Sequence, residues 1–89
     1  MECIKRFPSP NGHYFVNGSV VIFDGGENIA IIIEMYKEDG HVMAVLQQPS
    51  GRIRKRTLDF DAEQGIIRLL PKEDADQIRK WYKSSSVVK

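Results

Sequence analysis

Eighty-nine residues, 42% hydrophobic and 28% charged, describe one globular domain and exclude both a multi-domain enzyme and a disordered chain. A net charge of +1 gives no global field of the kind that marks a nucleic-acid binder. The lone cysteine, Cys3, excludes an intrachain disulfide and a zinc site built from cysteines alone.

Residues 1–12 read as an irregular segment, because Pro8, Pro10 and Asn11-Gly12 punctuate them and proline offers no ladder donor. The start, Met1-Glu2-Cys3-Ile4-Lys5-Arg6, has no apolar signal core, and no stretch has the length of a membrane span. A cytoplasmic protein with no membrane partner is the expectation. Residues 13–16 form a first short strand, and Asn17-Gly18 then reads as a tight hairpin turn. Residues 19–23 are β-branched and aromatic, and Asp24-Gly25-Gly26-Glu27-Asn28 ends that strand with turn chemistry.

Residues 28–37 are the strongest strand. Three consecutive isoleucines, Ile31, Ile32 and Ile33, disfavour a helix, because β-branched side chains lose rotamer freedom against the preceding turn. Glu38-Asp39-Gly40 reads as a hairpin turn into residues 41–47, and Pro49-Ser50-Gly51 as the next turn. In residues 52–60 the alternation breaks: Leu58 and Phe60 share parity with Arg52, Arg54 and Arg56. That shift predicts a β-bulge or bend near Lys55-Arg56-Thr57. Residues 61–65 turn the chain and 65–70 form the last strand.

Pro71 opens a different regime. Glu73, Asp74 and Asp76 precede Arg79, Lys80 and Lys83, which complements a helix dipole, and Ala75, Ile78, Trp81 and Tyr82 supply an apolar stripe. The spacing predicts a C-terminal helix over 71–83 and a flexible tail over 84–89. The sequence therefore describes a mainly β domain over 13–70, a five- to six-stranded antiparallel barrel, with one C-terminal α-helix.

The stretch from Phe15 through Asp24-Gly25 to Ala30-Ile31-Ile32 resembles the opening strands of SH3-like barrels of the Tudor and KOW kind. In those, a glycine precedes a first strand ending in Asp-Gly, and an alanine starts the second. The resemblance implies an SH3-like fold and a binding role. Methyl-ligand chemistry is not implied, since Asn28 and Ile29 stand where that family usually places aromatics.

Charge is blocked along the chain: residues 20–51 carry −4, residues 52–56 carry +4, residues 57–76 carry −4 and residues 77–89 carry +4. Arg52, Arg54, Lys55 and Arg56 are the sharpest binding candidates. On a strand, the three arginines would recur at about 6.6–7 Å on one face, a spacing suited to successive phosphates. The competing reading is a solvated edge strand, charged against edge-to-edge pairing. Tyr14 and Tyr36 are the candidate stacking platforms, whereas Phe15, Phe23 and Phe60 are assigned to the core. Trp81 and Tyr82 either pack within the chain or anchor an interface with another subunit.

His13 and His41 stand apart from any metal-ligand spacing, and no nucleophile, base and oxyanion set assembles. The expectation is a non-enzymatic module without cofactor or metal, self-associating and binding a protein partner. The alternative is nucleic-acid binding through Arg52–Arg56.

Overall fold

In a computed structural model of the protein the described residues run from Glu2 to Val88, with side chains described through Lys80. The strands are β1 (Glu2–Cys3), β2 (Arg6–Pro8), β3 (Tyr14–Val16), β4 (Val20–Phe23), β5 (Asn28–Glu38), β6 (His41–Gln47), β7 (Ile53–Thr57) and β8 (Ile67–Leu69). Helix α1 (Leu58–Glu63) joins β7 to β8, and α2 (Lys72–Val88) follows. The main sheet runs β7-β6-β5-β4-β8, with β1 added to β5, and β2 and β3 form a separate ribbon. All pairings are antiparallel. The mainly β character and the C-terminal helix thus match expectation. The closed barrel does not, because neither sheet closes on itself.

Strand β5 organises the sheet. The three isoleucines commit it to extended backbone, and its eleven residues reach past β4 to pair with β1. Its register against β6 shifts between Ile32 and Glu34, so the bulge lies here rather than near Lys55–Thr57. Ile33 is the extra residue and is exposed. Because of it, Ile32 and Met35 both face the core, although their parity differs.

The broken alternation after Arg56 has another cause. The chain changes period from two to 3.6 at Thr57, and Leu58, Asp61 and Ala62 are buried at the i, i+3, i+4 spacing of a helix. Phe60 falls on the outer side of α1 and is 54% exposed, which corrects its assignment to the core.

The N-terminal segment is not irregular. Glu2 and Cys3 pair with Lys37 and Tyr36, and Arg6–Pro8 pairs with Tyr14–Val16. Pro8 is tolerated because it ends a strand of a two-stranded ribbon. Asn17-Gly18 is therefore not a hairpin between β3 and β4 but a corner between two sheets. There Gly18 N–H donates to Ile32 O at 2.7 Å, and Val16 N–H donates to the Ser19 hydroxyl at 2.9 Å.

The core lies between the inner face of the main sheet and the layer made by the β2–β3 ribbon and α1. Phe15, Val21, Phe23, Ile32, Leu46, Leu58 and Ile67 meet there, essentially without solvent contact. Full burial of such side chains stabilises by about 1.5–3 kcal/mol each. Helix α2 contacts β4, with Ala75 buried and Arg79 donating to Gly18 O at 3.1 Å. It extends beyond residue 83 through the serines to Val88. Among the described residues no helix is long and apolar enough to cross a membrane.

The β5–β6 hairpin turns through Asp39 (φ 51°) and Gly40 (φ 80°), the two positive φ values of a type I′ turn. Gly40→Ala should cost about 1 kcal/mol, since a Cβ is disfavoured in the left-handed region. Urea denaturation reads this directly; an unchanged midpoint would show that the turn does not hold this geometry.

Candidate functional site

Strand β7 presents the basic run differently from a row of free arginines. Its register places Arg54 opposite Leu46 and Arg56 opposite Ala44, both inward-facing positions. Arg56 therefore lies at the rim of the core, with its guanidinium 5.5 Å from the centre of the Phe23 ring. Its Nε donates to Asp61 Oδ2 at 2.9 Å. Nη1 and Nη2 donate to the two carboxylate oxygens of Asp24, each at 3.1 Å.

These hydrogen bonds from Arg56 hold the Asp24 carboxyl below its ordinary range, assisted by the positive charges of Arg56 and Arg54. Reciprocally, the bond to Asp24 and the charge of Asp61 raise the Arg56 pKa. Arg56 thus joins the β4–β5 turn, β7 and α1, with Nε, Nη1 and Nη2 all bonded to carboxylates. Arg52 and Lys55 are exposed and Arg54 is half-buried; Arg54 and Arg56 share a face of β7, and Arg56 is held there by Asp24 and Asp61.

Tyr36 is only 3% exposed. It sits on β5 between Cys3 of β1 and Met43 of β6, which corrects its reading as a stacking platform. Tyr14 is 50% exposed, and the Arg6 guanidinium lies 5.1 Å from its ring centre. Trp81 and Tyr82 belong to α2, but their side chains lie outside the described residues.

Two features escaped the sequence reading. One is a contact between His41 Nδ1 and Asp59 Oδ2 at 3.3 Å, with Asp59 Oδ1 buried and unpartnered. No described hydroxyl or thiol bonds to this pair, so it lacks a nucleophile to activate. Among the described residues no group of three or more His, Cys, Asp or Glu side chains is placed to hold a metal ion.

The other is the outer edge of β8. Asp24 N–H donates to Ile66 O and Leu70 N–H to Val20 O, each at 3.1 Å. Ile66, Arg68 and Leu70 thus direct their backbone groups at β4. By the alternation of an antiparallel ladder, the N–H and C=O groups of Ile67 and Leu69 point the other way. No described residue bonds to them.

This edge opens into a cleft of about 530 Å³, walled by Pro10 and Asn11 on one side and the end of α1 on the other. Phe15, Ile67 and Leu69 line its inner face, whereas Ile22 and Arg68 belong to the outer face. A second cleft of about 510 Å³ adjoins it at Leu70 and Pro71 and is flanked by His13 and Lys72. Of the two unpaired ladder residues Ile67 is buried and Leu69 is half-buried, so the edge is open at Leu69, beside the apolar cleft. A search against protein-family models, curated proteins and solved structures finds no match to this chain.

Proposed function

We propose that this protein is a non-enzymatic interaction module that binds an extended segment of a protein partner by strand addition to the outer edge of β8. The observation that carries the reading is the outward-facing backbone of half-buried Leu69 beside an apolar cleft, next to buried Ile67. An added strand gains affinity from main-chain hydrogen bonds and specificity from alternate side chains. The SH3-like resemblance of the opening strands belongs to the same reading, since it too implies a binding role. Self-association through α2 aromatics is a separate part of the proposal, which a solution mass tests.

Titration of isotopically labelled protein with the blocked pentapeptide Thr-Val-Thr-Val-Thr tests the edge. The amide signal of Leu69 should shift first. Leu69→Pro removes one outward donor and leaves the bonds to β4 in place, because the Leu69 N–H does not face β4. That variant should stay folded and bind at least about tenfold more weakly, having lost a bond and gained a steric obstacle. Equal binding by the variant, or shifts confined to β7, would overturn the reading.

Nucleic-acid binding through Arg52, Arg54 and Lys55 is the second reading, favoured by the exposure of Arg52 and Lys55. It requires an interaction with oligonucleotides that weakens steeply with salt.

A further inference from the structure

We infer that β7 is a second docking edge, taking an extended acidic segment of a protein partner with carboxylates opposite Arg54 and Lys55 and an apolar residue opposite Ile53. The strand order places β7 at the end of the sheet away from β8, so this edge stands apart from the site proposed above. Gln48 N–H donates to Arg52 O at 2.8 Å, and the register carries that pairing on to Arg54 and Arg56. By the alternation of an antiparallel ladder, the N–H and C=O groups of Ile53 and Lys55 point away from β6. No described residue bonds to them, and both residues are exposed, Ile53 by 50%.

The side chains select what this edge accepts. Arg52, Arg54 and Lys55 make no ion pair with any described residue. Arg54 acts on Asp24 only through its charge, because the Asp24 carboxylate is bonded to Arg56. Residues directly opposite one another in a sheet share a face, and opposite charges there are the favourable pairing. An added antiparallel strand, the sense of every pairing in this sheet, therefore reads acidic–acidic–apolar from its N-terminal end. Its first and third residues exchange hydrogen bonds with Lys55 and Ile53.

The same charge excludes a second copy of this strand as the occupant. Antiparallel registers centred on Ile53, on Arg54 and on Lys55 oppose Arg52 to Arg54, Arg54 to Arg54 and Arg54 to Arg56 in turn, and like charges directly opposite are destabilising. The open ladder and the exposed Ile53 favour a peptide over nucleic acid, since a phosphate backbone has no alternating N–H and C=O groups to continue a sheet. Tyr36, on the same face as Ile53, is buried and cannot stack on a base.

The test titrates isotopically labelled protein with three blocked pentapeptides: Thr-Glu-Glu-Val-Thr, Thr-Lys-Lys-Val-Thr, and the first again with its valine N-methylated. The Glu peptide should shift the Ile53 and Lys55 amides and bind about tenfold more tightly than the Lys peptide, the range of two solvent-exposed charge contacts. N-methylation removes the N–H donated to Ile53 O and should weaken binding about fivefold, the worth of one hydrogen bond. Lys55→Glu, a change at an exposed position, should cut the preference for the Glu peptide to about twofold or less. Absence of shifts at Ile53 and Lys55, or a peptide preference that is missing in the wild type or unchanged in Lys55→Glu, would overturn the inference. Full binding by the N-methylated peptide would reduce it to charge attraction without strand addition, and a short oligothymidylate that binds there more tightly than the Glu peptide would assign the edge to nucleic acid; either result overturns it. The Leu69 amide reports on the β8 edge separately, so each docking edge can fail alone.

Discussion

Arg56→Met should destabilise the protein by about 3 kcal/mol, because it leaves a buried carboxylate without its cation. Asp61 is 5% exposed and sits on α1 beneath the guanidinium, so water cannot replace Arg56 at that oxygen. Asp24 contributes less, since it lies at an exposed turn where solvent screens its charge. Its share has a definite sign with pH. The Asp24 carboxyl is held below its ordinary value of 3.8, so its stabilisation is present above that value and is lost as the pH falls through the folded-state pKa.

Urea denaturation of three variants separates the contributions. Arg56→Met should show the full loss, and Asp24→Asn only a small part of it. Arg56→Met combined with Asp61→Leu should recover much of the loss, since replacing both members of a buried pair removes the orphaned charge. A single Arg56→Met variant within about 1 kcal/mol of wild type would be an ordinary surface substitution. It would return Arg56 to the pool of free cations on β7.

The same residue shows where sequence patterning succeeds and where it stops. The β-branched run Ile31–Ile33, the turn at Asp39-Gly40 and the acidic start of α2 are local signals, and each element forms at them, although α2 runs past its basic residues and past the expected end at residue 83 to Val88. Arg56 was visible as a cation, but its partners lie 32 positions before it and five after it. Only the packing of α1 against β6, β7 and β8 within the sheet that also holds β4 brings them together.

The parity shift at Leu58 was likewise visible, and a bulge and a change to helical period produce the same break in alternation. The six helical residues of α1 are too few for periodicity to separate the two. The β8 edge lay further out of reach. Its three residues read as a strand, yet which of its sides stays open depends on strand order, a property of the whole sheet.

Phe15 decides whether that open edge has a wall. It is the middle residue of a three-residue strand, fully buried between exposed neighbours Tyr14 and Val16. Through it the β2–β3 ribbon is fastened to the inner face of the main sheet, where Phe7 adds a half-buried contact. Phe15→Ala should cost about 3–5 kcal/mol, the loss of apolar transfer plus the cavity left behind. Phe15→Leu keeps most of the volume and should cost under about 1.5 kcal/mol.

Because the ribbon has few other buried contacts, hydrogen exchange in Phe15→Ala should accelerate in β2 and β3 before it does in β5 and β6. Uniform acceleration throughout would show that the ribbon is part of one cooperative unit with the sheet. Phe15 also lines the cleft beside β8. Its removal should therefore weaken the pentapeptide together with stability, whereas Leu69→Pro, which also gives up a partly buried core contact, should weaken the peptide more strongly relative to its cost in stability. The contrast assigns affinity to two separable causes: a hydrogen-bonding edge that β8 supplies by itself, and an apolar wall that exists only while the ribbon stays docked.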